Sequence, residues 1–220
     1  EFNDDQSVSV DIGMPKFGWK EIPLIRDLDS YDLGFNFDYL QNGFALNIGN
    51  PHVIFLVESL DKKKLLNDSK KIKMSNFFPS GVNINIVEIK TKREISVITN
   101  ERGVGITLAC GTGACASVVA GNKLDLLEKK VVVKMPGGSI KVEIMTNNHI
   151  LMTGNATKVF EGKIDMDELK NVSVWIPRSN GSTCRAELFG HAEWDIYYKK
   201  WYAHVQWFDN KEKMILNKRI

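Results

Sequence analysis

The chain has 220 residues, of which 43% are hydrophobic and 25% charged; this is typical of a globular protein that can bury a core without disulfides or a structural metal. Lys and Arg total 29 against 27 for Asp and Glu, which argues against a nucleic-acid-binding arm or an acidic tail. The chain has only three cysteines, which predicts reduced thiols and a cytoplasmic location. Its apolar runs are short and no basic-then-apolar leader is present, so no membrane contact is predicted.

Alternation of apolar and polar residues predicts strands through the first part of the chain. These strands cover residues 7–12, 44–48, 52–57, 82–89 and 94–99. The turn Gly49-Asn50-Pro51 separates the second strand from the third. The lysine-rich stretch 61–73 predicts a short helix with a connection, whose charges form a solvated face.

Small and apolar residues dominate the stretch 107–124, which predicts a buried helix that begins near Thr112 as its N-cap. One buried helix among many strands predicts an α+β fold in which the sheet wraps around the helix. Residues 165–220 mix polar and aromatic residues without a clean period and form a separate segment. Further strands are predicted after the helix, at 130–135, 139–144, 150–153 and 156–160.

Cys110, directly before Gly111-Thr112-Gly113, is the strongest chemical signal. The first N–H groups of a helix lack intrahelical partners and, with the positive end of the helix dipole, bind carboxylate or phosphate. The same field favours the thiolate of Cys110 and predicts a lowered pKa. The alternative is a buried apolar cysteine before a glycine turn. Cys115, one residue beyond a helical turn, is predicted to be a buried structural thiol.

Two other clusters contain polar groups that suit an amino-acid ligand. Glu101 and Arg102 precede a glycine pair, and an adjacent acid and base suits both ends of a zwitterion; a solvated surface turn is the alternative. Asn50 and His52 flank a proline; the amide both donates and accepts, and the imidazole is suited to orient a partner. An ordinary turn is the alternative there.

A third cluster of polar residues, Asn83 and Asn85, lies on one face of the predicted strand 82–89.

In combination, these motifs resemble the C-terminal half of the diaminopimelate epimerases, a family of cofactor-independent amino-acid epimerases. The matching pieces follow the family's order over about residues 8–164: Val10 to Pro15, Gly49 to His52, Phe78 to Asn83, Glu101 to Gly105, Leu108 to Ala116, Pro136 to Gly138 and Met152 to Gly162.

The resemblance implies a fold of two similar halves, each a curved mixed β-sheet around a central buried helix, with the active site between them. It implies an isomerase that interconverts LL- and meso-2,6-diaminopimelate in lysine and peptidoglycan-precursor biosynthesis, without pyridoxal phosphate or another cofactor. In this family two cysteines, one from each half, face opposite sides of the α-carbon; a thiolate removes the α-proton and a thiol returns one. Cys110 matches the cysteine of the C-terminal half.

The resemblance also implies roles for the other motif residues. Glu101 and His52 match positions beside the reacting centre, where they assist proton transfer. The N–H groups of Gly111 and Thr112 would bind the reacting α-carboxylate. A homodimer is expected by family analogy. The distal end of the substrate would be held by Asn50, Asn83, Arg102 and, at the ammonium group, Glu101.

Two features depart from the family. The other catalytic cysteine belongs to a Cys-Gly-Asn-Gly motif, which these 220 residues lack. Cys115 is on the same helix as Cys110 and cannot reach the opposite face of the substrate, and Cys184 has no glycine turn. With the absence of an initial Met, this predicts that residues 1–164 are a C-terminal-half domain and that the 220 residues alone are inactive. Residues 165–220 are an unassigned tail.

Two other functions stay open at this stage. A proline-racemase-like enzyme is disfavoured by Glu101 and Arg102, because a small cyclic substrate has no distal zwitterion. A non-catalytic amino-acid-binding domain would use the Cys110 loop to hold a carboxylate. Cys110 and Cys115 are not a Cys-x-x-Cys pair, and His and Cys do not cluster at zinc-ligand spacing, so neither a redox pair nor a metal site is predicted.

Overall fold

The computed structural model describes residues 7–156, 173–177, 183–195, 200–208 and 214–219. The chain divides into two compact units, Glu1–Thr157 and Lys158–Ile220. The elements of the first unit are β1 (Ser7–Asp11), β2 (Phe35–Asn36), β3 (Gln41–Asn42), β4 (Phe44–Asn47), β5 (Pro51–Leu56), α1 (Lys62–Met74), β6 (Asn83–Thr91), β7 (Glu94–Glu101), β8 (Gly105–Ile106), α2 (Gly111–Lys123), β9 (Lys130–Met135), β10 (Gly138–Ile144) and β11 (Ile150–Asn155).

Nine strands of the described residues form one sheet in the spatial order β1-β11-β10-β9-β7-β6-β5-β4, with β8 paired to the end of β7. Two neighbouring pairs are parallel, β5 with β6 and β7 with β9, and the other pairs are antiparallel. Parallel neighbours need a long crossover connection, and a helix supplies it in each case: α1 follows β5, and α2 precedes β9. The sheet is therefore mixed.

Helix α2 is the centre of the first core. Residues 113–121 of this helix are all buried, because their side chains are small and mostly apolar on every face. The helix contacts β4, β5, β6, β7, β9, β10 and β11. Seven flat strands would span roughly 29 Å at about 4.8 Å apiece, against a helix diameter of about 10–12 Å, so the sheet curves around α2. The predicted α+β fold, a curved mixed sheet around a buried helix, is confirmed.

Helix α1 packs on the opposite face of the sheet. Its N-cap carboxylate, Asp61, accepts the N–H groups of Lys63 and Lys64 at 2.8 and 3.0 Å. Leu65 and Ile72 join a second apolar cluster, distinct from the one around α2. The stretch predicted as a short helix with a connection is one helix of thirteen residues. The Asp61 cap stabilises its first turn, and the buried Leu65 and Ile72 anchor the rest of it to the sheet. Its lysines are exposed, as predicted.

Strand alternation decides which side chains meet α2. On β5, Val53 belongs to the α1-side cluster and Ile54 to the α2-side cluster; on β6, Ile86 and Val87 divide in the same way. Successive side chains of a strand point to opposite faces. The polar residues that share the α2 face by this rule are His52, Asn83, Asn85, Thr99 and Glu101.

The eight predicted strands that lie fully within residues 7–156 are confirmed to within a few residues. The sequence pattern does not predict β2, β3 or β8, since a run of two residues has no period. The predicted strand 156–160 lies outside the described residues beyond Ala156, which is not in a strand.

The described residues of the second unit form four strands: β12 (Ser173–Pro177), β13 (Thr183–Asp195), β14 (Lys200–Phe208) and β15 (Met214–Arg219). They form an antiparallel sheet in sequence order. The sequence pattern assigns no structure to this segment, so these strands are a finding of the structure. Across the described parts of both units, no helix has the length and apolar character that a membrane span requires.

Candidate active site

Cys110 is the N-cap residue of α2. Its dihedral angles are extended, φ −139° and ψ 103°, and its Sγ accepts the N–H of Gly113 at 3.4 Å. The prediction of Thr112 as the N-cap is therefore wrong. Thr112 already lies in the first helical turn, and a sulfur, not a hydroxyl, makes the capping bond. The residue as a whole is 7% exposed.

Two main-chain N–H groups lie free beside this thiol. Within residues 7–156, the N–H groups of Gly111 and Thr112 donate no hydrogen bond to another protein group. Both residues are only partly buried, and both lie at the positive end of the helix dipole. The donors expected to bind a carboxylate are thus in place, and their binding of substrate stays a prediction.

The glycines allow the helix to begin in contact with polar side chains of the sheet. A β-carbon on Gly113 would lie 2.6 Å from Asn85 Oδ1 and 2.9 Å from Thr99 Oγ1. A β-carbon on Gly111 would meet the sulfur of Met152 at 2.9 Å. Any side chain at position 113 would therefore push α2 away from the sheet and move Cys110 with it.

Burial raises the pKa of the Cys110 thiol above its ordinary value, and Glu101 adds to this shift. The Thr112 hydroxyl, 3.6 Å from the sulfur, and the N–H of Gly113 act in the opposite direction. The net shift is upward, so the prediction of a lowered pKa is wrong for this chain. The free energy of removing the thiolate from water outweighs the hydrogen bonds from Thr112 and Gly113.

His52 is fully buried, with both ring nitrogens in hydrogen bonds. Nε2 lies 3.0 Å from Asn50 Oδ1 and 3.1 Å from Thr112 Oγ1. Nδ1 lies 3.1 Å from Asn85 Nδ2. Burial lowers the pKa of His52 to about 3, so the ring is neutral near pH 7. His52 therefore connects Asn50 to Thr112 as a neutral ring.

Asn85 and Thr99 belong to the site; the sequence pattern placed Asn85 on one face with Asn83 but gave it no role, and it did not single out Thr99. Asn85 is fully buried and Thr99 is 4% exposed, and the Thr99 hydroxyl donates to Asn85 Oδ1 at 2.8 Å. Both occupy strand positions that face α2, where an apolar residue is the usual choice. A polar residue at a core-facing position of an alternating strand is the signal that would have identified them.

Glu101 and Arg102 lie at the end of β7, beside the start of α2. Glu101 Oε1 accepts the hydroxyl of Thr107 at 2.6 Å, and its carboxylate faces Cys110. The main-chain N–H of Arg102 donates to Asn83 Oδ1 at 2.8 Å. Asn83 is buried and its Nδ2 donates to the carbonyl of Pro51 at 3.1 Å, so protein groups engage both ends of its amide.

The other thiol of the helix, Cys115, is fully buried. Burial raises its pKa to about 12, and the prediction of a structural thiol is confirmed. Within the described residues, no three His, Cys, Asp or Glu side chains cluster as a metal site requires. The structure brings every predicted site residue to the start of α2 or the adjacent strand ends: Asn50, His52, Asn83, Glu101, Arg102, Cys110, Gly111 and Thr112.

The fold and the site define a class of protein: an α+β domain with a thiol, a carboxylate and free N–H donors at the start of a buried helix. The sequence profile of the family described as diaminopimelate epimerase matches residues 44–159. The chain belongs to the diaminopimelate epimerase family, which confirms the resemblance inferred from the motifs.

Relatives within the family include the diaminopimelate epimerases of Sphingopyxis alaskensis and Zymomonas mobilis, each 38% identical over 161 residues. Each match covers 73% of this chain and 60% of the relative, so the chain spans about three fifths of their length. A solved structure described as a predicted epimerase from Pseudomonas aeruginosa is 12% identical, with a TM-score of 0.46, over 70% of this chain and 59% of that chain.

Proposed function

We propose that the protein to which this chain belongs interconverts LL- and meso-2,6-diaminopimelate, and that Cys110 is one of its two proton-transferring groups. The observation that supports this most directly is the position of Cys110. Its sulfur lies at the start of α2, next to the N–H groups of Gly111 and Thr112, which donate to no protein group within residues 7–156. Proton removal next to a carboxylate builds negative charge on that carboxylate, and preorganised N–H donors stabilise it.

The proton balance needs no cofactor. In one direction the Cys110 thiolate takes the α-proton, and the electron pair left on carbon delocalises into the carboxylate held by the helix. In the other direction the Cys110 thiol gives its proton to that carbon. The raised pKa of Cys110 keeps this thiol protonated at rest, which suits the donating direction. Neutral His52 acts through its contact with Thr112.

The distal end of the substrate is assigned to the polar residues at the ends of β5, β6 and β7. The exposed guanidinium of Arg102 is suited to a carboxylate, and Glu101 to an ammonium group. Asn83 contributes by fixing the main chain of Arg102. Asn50 is also assigned to the distal end, and its side chain is held by the contact with His52. The Glu101 carboxylate and the Arg102 guanidinium have uncharged partners, the Thr107 hydroxyl and the Ser80 carbonyl. A ligand without this distal end would leave both without a partner of opposite charge within residues 7–156.

We further infer that the 220-residue chain does not invert the α-carbon by itself. Inversion needs a second thiol on the opposite face, and Cys115 is buried in the same helix as Cys110. Incubated with LL-diaminopimelate in deuterated water, the chain is expected to give no meso product. Formation of meso-diaminopimelate with deuterium at the α-carbon would overturn the inference.

The reaction itself is tested by affinity labelling of Cys110. An aziridine analogue of diaminopimelate is expected to alkylate Cys110 in the native chain, and diaminopimelate is expected to slow the reaction. Cys110→Ala is the control for the site of labelling, read by peptide mass spectrometry. Aziridine-2-carboxylate, which lacks the distal end, is the control for specificity. Equal labelling by both reagents, or no protection by diaminopimelate, would contradict the proposal.

A non-catalytic amino-acid-binding domain is the second candidate, favoured by the low exposure and raised pKa of Cys110. Calorimetric binding of diaminopimelate without any labelling of Cys110 by the aziridine would support this second candidate. A proline-racemase-like activity predicts protection by proline instead of diaminopimelate.

Three further assignments follow the family resemblance: a place in lysine and peptidoglycan-precursor biosynthesis, a cytoplasmic location and a homodimer. Light scattering of the purified chain measures the homodimer directly. A monomer at all concentrations would contradict that assignment.

A further inference from the structure

We propose that Asn85 is a positioning residue that fixes which nitrogen of His52 is protonated and thereby directs the Thr112 hydroxyl at the thiol of the site. The inference rests on the proposed function only in taking Cys110 as the reacting group. Its physical content is the direction of a hydrogen-bond chain, which can be measured without any substrate.

The orientation of the Asn85 amide is set by two main-chain carbonyls. Nδ2 lies 3.1 Å from the oxygen of Val53 and 3.3 Å from the oxygen of Asn83. A carbonyl oxygen only accepts hydrogen bonds, so the end of the amide that faces both must be the NH₂ group. The Thr99 hydroxyl at 2.8 Å from Oδ1 fits this orientation, because it donates to the remaining end.

The amide orientation in turn decides the tautomer of His52. Nδ1 of the ring lies 3.1 Å from the NH₂ group of Asn85, whose two hydrogens are shared among this nitrogen and the two carbonyls. Because an NH₂ group only donates, Nδ1 must accept and has no proton. The ring is fully buried and no carboxylate contacts it in the described part of the chain. A neutral imidazole with a bare Nδ1 has its proton on Nε2.

The Nε2 proton fixes the direction of the last hydrogen bond, from Thr112 to Cys110. It points at Asn50 Oδ1, 3.0 Å away, and at Thr112 Oγ1, 3.1 Å away. A Thr112 oxygen that accepts this proton keeps its own hydrogen for the Cys110 sulfur at 3.6 Å. With the proton on Nδ1 instead, bare Nε2 would attract the Thr112 hydrogen and the sulfur would lose a donor.

The ionisable groups near this chain of bonds stay unchanged when Asn85 is replaced. Glu101 from β7 acts on Cys110, Cys110 acts on Cys115 in α2, and Arg102 acts on His52. A difference in the titration of Cys110 between variants at position 85 therefore reports the hydrogen bonds and not a change in nearby charge.

The direct test is nitrogen-15 NMR of the 220-residue chain labelled at its four histidines. The His52 signals are identified by their loss in His52→Gln. We expect a protonated Nε2, a bare Nδ1 and no titration between about pH 5 and pH 8. A proton on Nδ1, or an even mixture of tautomers, would overturn the proposal, and this outcome does not depend on epimerase activity.

A second test measures the pH dependence of iodoacetamide alkylation of Cys110, with Cys115→Ala and Cys184→Ser present so that one thiol remains. Asn85→Leu and Thr112→Val are each expected to slow alkylation at a fixed pH by about tenfold, because the sulfur loses a hydrogen-bond donor to its thiolate. Thr112→Ser keeps the hydroxyl and is expected to react as the parent does.

The double variant decides whether Asn85 acts through Thr112. If it does, Asn85→Leu with Thr112→Val alkylates at the rate of Thr112→Val alone, because both changes remove the same hydrogen bond. The proposal would be overturned if the double variant were slower than Thr112→Val by the full factor seen for Asn85→Leu alone. It would also be overturned if Thr112→Val alkylated at the rate of the parent. Should Asn85→Leu fail to fold, two measurements still test the proposal. They are the tautomer of His52 observed by NMR and the alkylation rates of Thr112→Val and Thr112→Ser.

Discussion

Gly113 lies so close to Asn85 that a β-carbon on the glycine would come within 2.6 Å of the amide oxygen. The amide is itself fixed by hydrogen bonds to Thr99 and to the carbonyl of Val53. The first turn of α2 and the polar face of β6 are therefore one packed unit. The thiol that caps the helix is positioned by the same contact.

Substituting this glycine tests the contact. Gly113→Ala is expected to lower the free energy of unfolding by about 1–3 kcal/mol, because overpacking outweighs the gain in helix propensity. Gly111→Ala is the matched control in the same helical turn, since it meets only the flexible end of Met152. Urea unfolding of both variants measures the difference; equal stability of the two would contradict the packing argument.

Glu101 raises the pKa of Cys110 by its negative charge. Glu101→Gln keeps an oxygen for the Thr107 hydroxyl and removes the charge, so the pKa of Cys110 is expected to fall. Alkylation of Cys110 near pH 7 should then be about threefold faster.

Glu94→Gln, at the other end of the same strand and paired with Lys134, is the control and is expected to leave the rate of alkylation unchanged. A rate in Glu101→Gln equal to or below that of the parent would show that the carboxylate does not act on the sulfur.

The buried His52 predicts a loss of stability in acid. Its pKa is about 3 in the folded chain against an ordinary 6.5, so the unfolded chain takes up a proton first as the pH falls below 6.5. The stability is fully present above that pH and decreases below it by up to about 1.4 kcal/mol per pH unit.

Unfolding by urea at several pH values from about 5 to 7 measures this slope, which His52→Gln is expected to remove. His149→Gln, at a partly exposed position, retains the slope. A native slope equal to that of His52→Gln would mean that the ring is not held neutral.

Cys115 predicts the opposite dependence in alkali. Its pKa is about 12 in the folded chain against an ordinary 9.0, so the unfolded chain loses its proton first as the pH rises. Stability is present below about pH 9 and decreases above it. Cys115→Ala is expected to flatten the alkaline slope by up to about 1.4 kcal/mol per pH unit relative to the parent. Identical slopes would refute a buried protonated thiol.

Much of the fold was predictable because local patterns determine it. Alternation of apolar and polar residues with a period of two predicted the long strands. The run of small residues from Gly113 to Gly121 predicted a helix buried on every side. The order of the motifs around Cys110 identified the family. The strands of the second unit were missed, although apolar residues alternate with more polar ones from Cys184 to Leu188 in β13 and from Trp201 to Trp207 in β14.

The sequence by itself determined the chemistry available at the site: a cysteine before a glycine turn, an adjacent acid and base, and an asparagine with a histidine. Tertiary structure decided how those groups behave. It buried Cys110 enough to raise its pKa, held His52 neutral and placed Asn85 against the start of α2. Desolvation and hydrogen-bond direction depend on neighbours from distant parts of the chain, and no local pattern contains them.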